Sequence, residues 1–435
     1  MTGWRRSFTV LALCMTVGAP LLTGCGGGPG GSGGSRDPVT IMTWAPEDTR
    51  ATNMPGMPAM ATAYARWVNA RGGIDGHVLR IITCNDHNSL VDAARCAKRA
   101  ADEDVAAVVG SYSVHGQSFM PALEAAGIPY IGGYGVTTEE FRSALSFPVN
   151  GGQASLLAGN GRQLAGDCER VALVRPESVD GDDLPLLLDT GLAEGHKGPA
   201  TDIRTTEDAG EYTAQAESAL NAVGAGPGLP AQIGPAAASA RAAKGCVTAV
   251  LGDRTETFFD SFRRLEQPGQ KVRVASVLGS VSQGLIDSTG GRRSPYEGAY
   301  VTGWYPQTTD PRWQQMRDVI SRYAFGDDRI DPADAGVQTT WIAYTVLRRT
   351  IESLNQDHIS ADDLVHALNS GLSVHTGGLT PTLRWSFQDM LASRDFPRLV
   401  NHDVTYQVVR KGRLVAVKRD SVDVGRTLEQ ASLEE

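Results

Sequence analysis

Short apolar segments alternate with amphipathic segments along most of the chain. Met60, Tyr64, Trp67 and Val68 recur at the spacing of one helical face. A longer apolar face of the same period runs from Val337 to Leu354. The apolar segments between such helices are continuous runs, which is typical of strands covered on both faces. The pattern predicts strands at Val39–Trp44, Val78–Cys84, Val105–Val109, Pro129–Ile131, Val171–Val174, Thr201–Arg204, Thr248–Leu251, Val272–Val277 and Ala299–Thr302.

This alternation predicts an α/β fold in which doubly wound parallel sheets are connected by right-handed crossovers. Two regions depart from it. Residues 224–244 are nearly all Gly, Ala and Pro, which indicates a surface insertion. Near the end of the chain, Val404–Val409 and Leu414–Val417 flank Lys411-Gly412, which predicts a β-hairpin. After Asp423 the pattern fades into a polar tail.

Length and composition narrow the class of protein. The chain has 435 residues, enough for two or three folded units, and 41% of them are hydrophobic, as in an ordinary globular protein. The net charge is −9, and no block of basic residues interleaved with aromatic ones is present. These features argue against nucleic acid as a partner.

The N-terminus has the pattern of an export signal. Arg5 and Arg6 precede an apolar run, Phe8–Leu22, that is short for a membrane span. The following Leu22-Thr23-Gly24-Cys25 resembles the lipobox of bacterial lipoproteins, and a Gly/Ser-rich stretch comes next. The sequence thus predicts a signal peptide at 1–24, lipidation of Cys25 and a tether at 25–36, with an extracytoplasmic protein anchored to the membrane. A soluble secreted protein and export by the twin-arginine route remain open alternatives.

Four cysteines remain in the exported chain. An even number outside the cytoplasm predicts two disulfides, Cys84 with Cys96 and Cys168 with Cys246. Cys84 ends a strand, and Cys96 lies in the following helix at the depth where an antiparallel packing brings the two together. Free thiols, or a metal site that includes His87, are the alternatives for the first pair.

The order of several motifs is similar to that of a known family. The chain contains Asn69-Ala70-Arg71-Gly72-Gly73-Ile74-Asp75-Gly76 after a helix and Ala125-Ala126-Gly127-Ile128-Pro129 before a strand. With their flanking segments, these resemble the type I periplasmic binding proteins that bind leucine, isoleucine and valine. The resemblance implies two Rossmann-like lobes joined by a three-strand hinge, a small ligand enclosed between them, and an ABC transporter permease as partner. It implies an N-terminal lobe at 37–151 and 302–383, a C-terminal lobe at 152–301 and 384–423, and a polar tail at 424–435.

The ligand is expected at the carboxyl ends of the strands, where open α/β sheets bind their ligands. Two polar loops follow strands there, Gly110–Ser113 and Gly132–Thr138. Backbone N–H groups at a helix start suit a carboxylate. We therefore expect ligand contacts from these loops, and helix capping is the alternative role for their hydroxyl groups. The residues concerned are Ser111, Ser113, Gly135 and Thr137.

The sequence departs from the family where leucine-binding relatives place an acid against the ligand's ammonium group. This chain has Ser280 in that loop, and we expect it to contact the ligand. Asp180 and Asp253 are candidate replacements, and Trp44 is a candidate wall of the cleft or a buried structural residue. We expect weak or absent binding of leucine, isoleucine and valine, and preference for another small polar or carboxylated molecule.

Enzymatic activity is not expected. The G-x-G-x-x-G and G-x-S-x-G spacings are missing, Glu139 and Glu140 would repel a phosphate group, and the histidines show no metal-binding spacing. No cofactor is predicted. The sequence favours a lipid-anchored solute-binding protein that serves an ABC importer. The alternative is a sensor module that signals through a membrane partner.

Overall fold

The computed structural model describes residues 36–226, 244–267, 272–277 and 281–431, apart from the side chains of residues 179, 180 and 253. The predicted signal peptide, Cys25, the tether up to residue 35 and most of the Gly/Ala/Pro-rich stretch lie outside the described residues. Ser280 also lies outside them.

The strands occur where apolar runs predict them. They are β1 Arg36–Trp44, β2 His77–Cys84, β3 Ala107–Val109, β4 Tyr130–Ile131, β5 Ser146–Phe147, β6 Arg170–Pro176, β7 Thr201–Thr205, β8 Gly245–Ala249, β9 Arg273–Val277, β10 Tyr300–Gly303, β11 Asp403–Arg410, β12 Arg413–Ala416 and β13 Val422–Asp423.

The helices lie between and after these strands. They are α1 Gly56–Asn69, α2 Leu90–Asp102, α3 Gly116–Ala126, α4 Glu139–Arg142, α5 Gly152–Ala165, α6 Val179–Asp182, α7 Leu184–Glu194, α8 Thr213–Ala222, α9 Thr255–Leu265, α10 Gln283–Ser288, α11 Gln314–Tyr323, α12 Ala335–Leu354, α13 Ala361–Asn369 and α14 Gly425–Gln430. In the part of the chain that the structure describes, no helix is long and apolar enough to cross a membrane.

The strands form two sheets. The first has the order β2-β1-β3-β4-β5, and all its pairs are parallel. The second has the order β12-β11-β10-β9-β8-β6-β7, parallel from β7 to β10 and antiparallel from β10 to β12, while β13 pairs with β11. The predicted α/β fold with two mostly parallel sheets is confirmed, as is the hairpin at the end of the chain.

The chain passes between the two sheets three times, and the three passages lie side by side. Asn150, in the first, donates from Nδ2 to Tyr305 Oη in the second at 3.0 Å. Asn401, in the third, donates to the carbonyl oxygen of Val149 at 2.8 Å. Side-chain amides therefore join the three segments into one hinge region.

Helices α1 and α12 pack on the first sheet through the faces that the sequence predicted. Tyr64 and Trp67 meet Trp341 and Tyr344 in edge-to-face and tilted ring contacts with centroids 5.2 to 5.5 Å apart. All four side chains are buried. Such aromatic pairs add to the stabilisation from burial of their apolar area. Helix α12 thereby belongs to the first sheet although it follows the whole parallel part of the second.

Both predicted disulfides are present. Cys84 and Cys96 join β2 to α2 with a Cα–Cα distance of 5.9 Å, and Cys168 and Cys246 join the start of β6 to β8 with 5.8 Å. The alternatives for the first pair are therefore wrong. His87 is exposed and lies 3.1 Å from Asp92 instead.

The structure differs from the sequence analysis in three places. Strands β5 and β13 were missed because each has only two residues and no apolar run. Residues after 383 were expected in the second lobe, but Trp385 packs on Phe147, and Arg398 donates to the Ser146 carbonyl oxygen at 2.9 Å. The expected polar tail contains α14, because Leu428 gives it one apolar position that is buried against α5 and α7.

Candidate functional site

The polar loops after β3 and β4 lie at the carboxyl edge of the first sheet, as expected. Ser111 and Ser113 are fully buried. The Ser111 hydroxyl accepts from the backbone N–H of Trp44 at 3.0 Å, and the Ser113 hydroxyl accepts from that of His115 at 3.3 Å. The first hydroxyl ties the loop to the end of β1, whereas the second caps the turn before α3. Both hydroxyls thus have an internal role in the fold.

Trp44 lies in the interior of the first lobe. Its ring is 0% exposed and packs against Phe119 and Tyr130, with centroids 5.3 and 6.0 Å away. Of the two roles that the sequence left open for Trp44, a wall of the cleft or a buried structural residue, its burial corresponds to the second. Its influence on the loops passes through the backbone, since Tyr112 N–H donates to its carbonyl oxygen at 3.0 Å.

The loop before α4 folds around a carboxylate of the chain itself. The backbone N–H groups of Gly135, Val136 and Thr137 donate to Glu140 at 3.1, 3.0 and 3.2 Å. Glu140 is buried. Sequence analysis expected these N–H groups to receive a ligand carboxylate, but an internal carboxylate already occupies them. The T-x-x-E spacing from Thr137 to Glu140 is the signal that could have revealed this, because such a glutamate commonly folds back onto the backbone at a helix start.

Glu140 is held in an unusual electrostatic environment. Burial raises its pKa to about 7, and the three backbone N–H groups only partly offset that effect. Glu139, the preceding residue, raises the pKa further by its own negative charge. The loop therefore carries two acidic side chains, Glu139 and Glu140, and does not attract an anion.

A groove lies beside this loop, between elements associated with the two sheets. Its cavity volume is about 30 Å³. Its walls are mostly apolar, with Thr137 and Asp183 among the polar groups, and burial raises the pKa of Asp183. The lining residues are Gly135, Val136, Thr137, Thr138, Phe141, Gln153, Ala154, Asp183, Leu184, Leu187 and Phe396.

The hinge directly contacts this groove. Gly152, at the start of α5, has φ +56°, and a Cβ atom there would lie 2.4 Å from the carbonyl oxygen of Gly135. Gln153 N–H donates to that same oxygen at 2.8 Å. A glycine is required because no side chain fits and because the backbone is left-handed. The first passage between the sheets is therefore packed directly against the Gly135 loop.

A second contact between the lobes lies at the ends of β1 and β8. Arg254 donates to the carbonyl oxygen of Arg50 at 3.0 Å. A Cβ atom on Gly252, whose φ is +52°, would lie 2.0 Å from Thr52 Oγ1. The described residues of the two lobes are therefore in close contact across the carboxyl ends of their strands.

Asp86 is a residue of this edge that the sequence analysis did not select. It follows β2 by two residues and is 0% exposed. Its Oδ1 accepts from the Asn88 N–H at 3.3 Å, and burial raises the pKa of the carboxyl group, an effect that Ser113 opposes. The signal that could have found it is its position, since it follows a strand end in the same way as the two polar loops do.

The remaining candidates are not brought into a described site. The backbone of Asp180 lies in α6, and that of Asp253 lies in a 3₁₀ turn after β8. Their side chains, like the whole of Ser280, fall outside the described residues.

The potential metal ligands that converge among the described residues are those of His402, Asp403 and Asp423, whose ligand atoms lie within 4.8 Å of one another. His402 Nδ1 is 2.6 Å from Asp423 Oδ1. Two of the three side chains are therefore already close enough to interact directly with each other.

Comparisons with known proteins agree with this architecture. Residues 49–390 match the family model described as periplasmic binding protein. A search of curated proteins finds no match. Three solved structures have similar folds. The first is a branched chain amino acid ABC transporter protein from Thermus thermophilus with bound valine, 16% identical over 90% of this chain and 97% of that chain, with a TM-score of 0.66.

The second structure is a fatty acid ABC transporter substrate-binding protein from Thermomonospora curvata, 13% identical over 90% of this chain and 94% of that one, with a TM-score of 0.67. The third is a solute binding protein of an ABC transporter from R. palustris in complex with 4-hydroxybenzoate, 11% identical over 89% and 97%, with a TM-score of 0.67. The chain therefore belongs to the type I periplasmic binding protein family, whose members bind ligands and are not enzymes.

Proposed function

We propose that this chain is an extracytoplasmic lipoprotein that captures a small polar or amino-acid-like ligand between its two lobes and delivers it to an ABC importer. The observation that carries the proposal is the groove beside the Gly135 loop, which elements of both lobes line. The hinge contacts the same loop through Gly152. A ligand in the groove would therefore influence the relative position of the lobes.

The anchor rests on the sequence. Leu22-Thr23-Gly24-Cys25 has the order of a lipobox, and a diacylglycerol on Cys25 with the tether up to residue 36 would hold the protein at the membrane surface beside a permease. The lipid can be tested with Cys25→Ala. The wild type should fractionate with membranes, and the variant should move to the soluble extracytoplasmic fraction. Equal distribution of the two proteins would contradict the anchor.

Ligand capture is tested first by mass spectrometry of small molecules released from the protein purified from its own cells under native conditions. A compound recovered in nearly equal molar amount supports the proposal. Small-angle X-ray scattering with and without that compound should then show compaction. An unchanged radius of gyration at saturation would count against capture between moving lobes.

Closure can be tested separately through the contact of Gly252 with Thr52. Gly252→Ala places a Cβ atom where the Thr52 hydroxyl lies, so the lobes should no longer approach fully and the ligand-induced compaction should decrease. Gly298→Ala is a matched control, because Gly298 also has a positive φ, +88°, but its Cβ atom would meet nothing within 4 Å. Equal compaction in both variants would contradict the assignment of this contact to closure.

A further inference from the structure

The carboxylate of Asp86 has an unused acceptor atom. The side chain is 0% exposed, and Oδ2 has no hydrogen-bond partner among the described residues. A buried carboxylate oxygen without a donor is costly, so native structures nearly always provide a partner. The arrangement indicates that this oxygen receives a donor from a group that binds to the protein.

Two further polar side chains lie around this carboxylate. Ser113 and His115 both lie close enough to Asp86 to affect its pKa, which burial raises. His115 Nε2 is itself buried and has no hydrogen-bond partner in the described part of the chain. The cluster therefore contains a carboxylate, a hydroxyl group and an imidazole. The carboxylate and the imidazole each have one atom without a hydrogen-bond partner among the described residues.

The cluster lies directly beneath the contact between the lobes. Asn88, which donates its N–H to Asp86, also donates from Nδ2 to the carbonyl oxygen of Thr52 at 2.7 Å. Thr52 is the residue that meets Gly252 of the other lobe. Asp86 is thus two hydrogen bonds away from the surface that closes.

The cluster is also connected to the groove. Gly116 follows His115, and a Cβ atom on it would lie 2.3 Å from Thr137 Oγ1 and 2.4 Å from Glu139 Oε2. Thr137 lines the groove, and Glu139 Oε2 is a further buried acceptor without a partner among the described residues. A second acid with an unused acceptor atom therefore lies beside Gly116.

An anionic ligand group finds little to bind at this edge. The N–H groups of Gly135, Val136 and Thr137 already donate to Glu140. A second carboxylate would be repelled by the negative charges of Glu139 and Asp86. A cationic group with several N–H bonds would instead satisfy the unused acceptors and reduce the repulsion among the acids.

We propose that Asp86, together with Ser113 and His115, binds a positively charged nitrogen of the ligand, in a primary amine or a guanidinium group. This inference rests on the proposed function and specifies its ligand class. The hydrocarbon part of the ligand lies in the apolar groove. A ligand whose only charge is a carboxylate is disfavoured.

The test compares probes matched in carbon skeleton. Butylamine, hexylamine, octylamine, putrescine and agmatine are titrated calorimetrically into the full mature protein alongside butanoate, hexanoate and octanoate. The proteins are the wild type, Asp86→Asn and Asp102→Asn, the last being an exposed acid on α2 that serves as a charge-matched control. Binding of one or more amines, weakened at least about 30-fold by Asp86→Asn and less than about twofold by Asp102→Asn, is the expected result.

Three outcomes overturn the inference and leave capture of a solute intact. The first is that carboxylates bind and amines do not. The second is that Asp86→Asn retains the amine affinity of the wild type. The third is that the compound that co-purifies has no basic nitrogen and no amine in the panel binds. If Asp86→Asn fails to fold, Ser113→Ala and the amine-to-carboxylate preference of the wild type decide. If no compound co-purifies and no probe binds, the proposed function itself fails.

Discussion

Glu140 and Asp86 are two buried carboxylates at the same edge of the first sheet, and their surroundings differ sharply. Glu140 receives three backbone N–H groups from one loop. Asp86 receives one, from Asn88, and keeps an oxygen without a partner among the described residues. Burial raises the pKa of both groups. Equal burial and equal charge therefore do not give equal roles.

The difference follows from the backbone that surrounds each acid. The loop from Gly135 to Thr137 turns so that successive N–H groups converge on one point, which stabilises the loop whenever that point is filled by an acceptor. The segment after β2 gives Asp86 a single N–H and leaves the rest to side chains. The first carboxylate shapes its own loop, whereas the second is completed from outside.

The largest expected effect is that of Glu140→Ala. The variant leaves three buried N–H groups without their acceptor, which should lower the free energy of unfolding by about 3 kcal/mol or more. Chemical denaturation at neutral pH measures it, with Glu124→Ala, an exposed acid on α3, as control. A loss no larger than that of the control would mean that Glu140 does not hold the loop.

A smaller effect is expected in the pH dependence of stability. The pKa of Glu140 is raised from 4.5 to about 7, so its favourable contribution is complete below pH 4.5 and is lost as the pH rises through 7. Glu140→Gln keeps an acceptor oxygen but cannot titrate. The wild type should lose on the order of 1–3 kcal/mol more than this variant between pH 4.5 and pH 8.

Melting temperatures measured across this range give the difference directly. Glu103→Gln, a substitution of an exposed acid, is the control and should keep the slope of the wild type. Parallel curves for the wild type and Glu140→Gln would show that Glu140 is ionised throughout the range, contrary to the raised pKa.

The smallest effect is expected for Asp86→Asn without ligand. Burial disfavours the charged form of Asp86, and asparagine retains an oxygen for the Asn88 N–H. The free energy of unfolding at neutral pH should stay the same or rise by less than about 1 kcal/mol. Denaturant titration checks this, and a loss comparable to that of Glu140→Ala would make Asp86 a structural acid like Glu140.

The fold was largely predictable because its main signals are local. Continuous apolar runs marked β1 and β6, and the helical period placed Trp341 and Tyr344 on the face that packs against α1. Strand β5 escaped because its two residues carry no period. The position of residues 384–399 depends on contacts with Phe147 and Ser146, which are distant in sequence and leave no local pattern.

The site was predictable only as a region. Ser113 and Thr137 do lie at the carboxyl edge of the first sheet, as the strand ends indicated. The N–H groups of the Gly135 loop face Glu140 because its side chain folds back onto the loop. The sequence showed only the charge of Glu140 and not the direction of its side chain. The unused oxygen of Asp86 depends on neighbours from its own loop and from residues 113–115, which are distant in sequence, and no spacing along the chain encodes it.

The interleaving of the two sheets along the chain has a consequence for how the protein assembles. Helix α12, which covers the first sheet through Trp341 and Tyr344, is made after β6 to β10, and β11, which extends the second sheet, is made after α12. Neither lobe is a continuous piece of chain, so neither can be completed before nearly all residues are available. Contacts of such long sequence separation form slowly, because large loops must close first. A chain of this design remains unfolded longer than two consecutive domains of the same total length would.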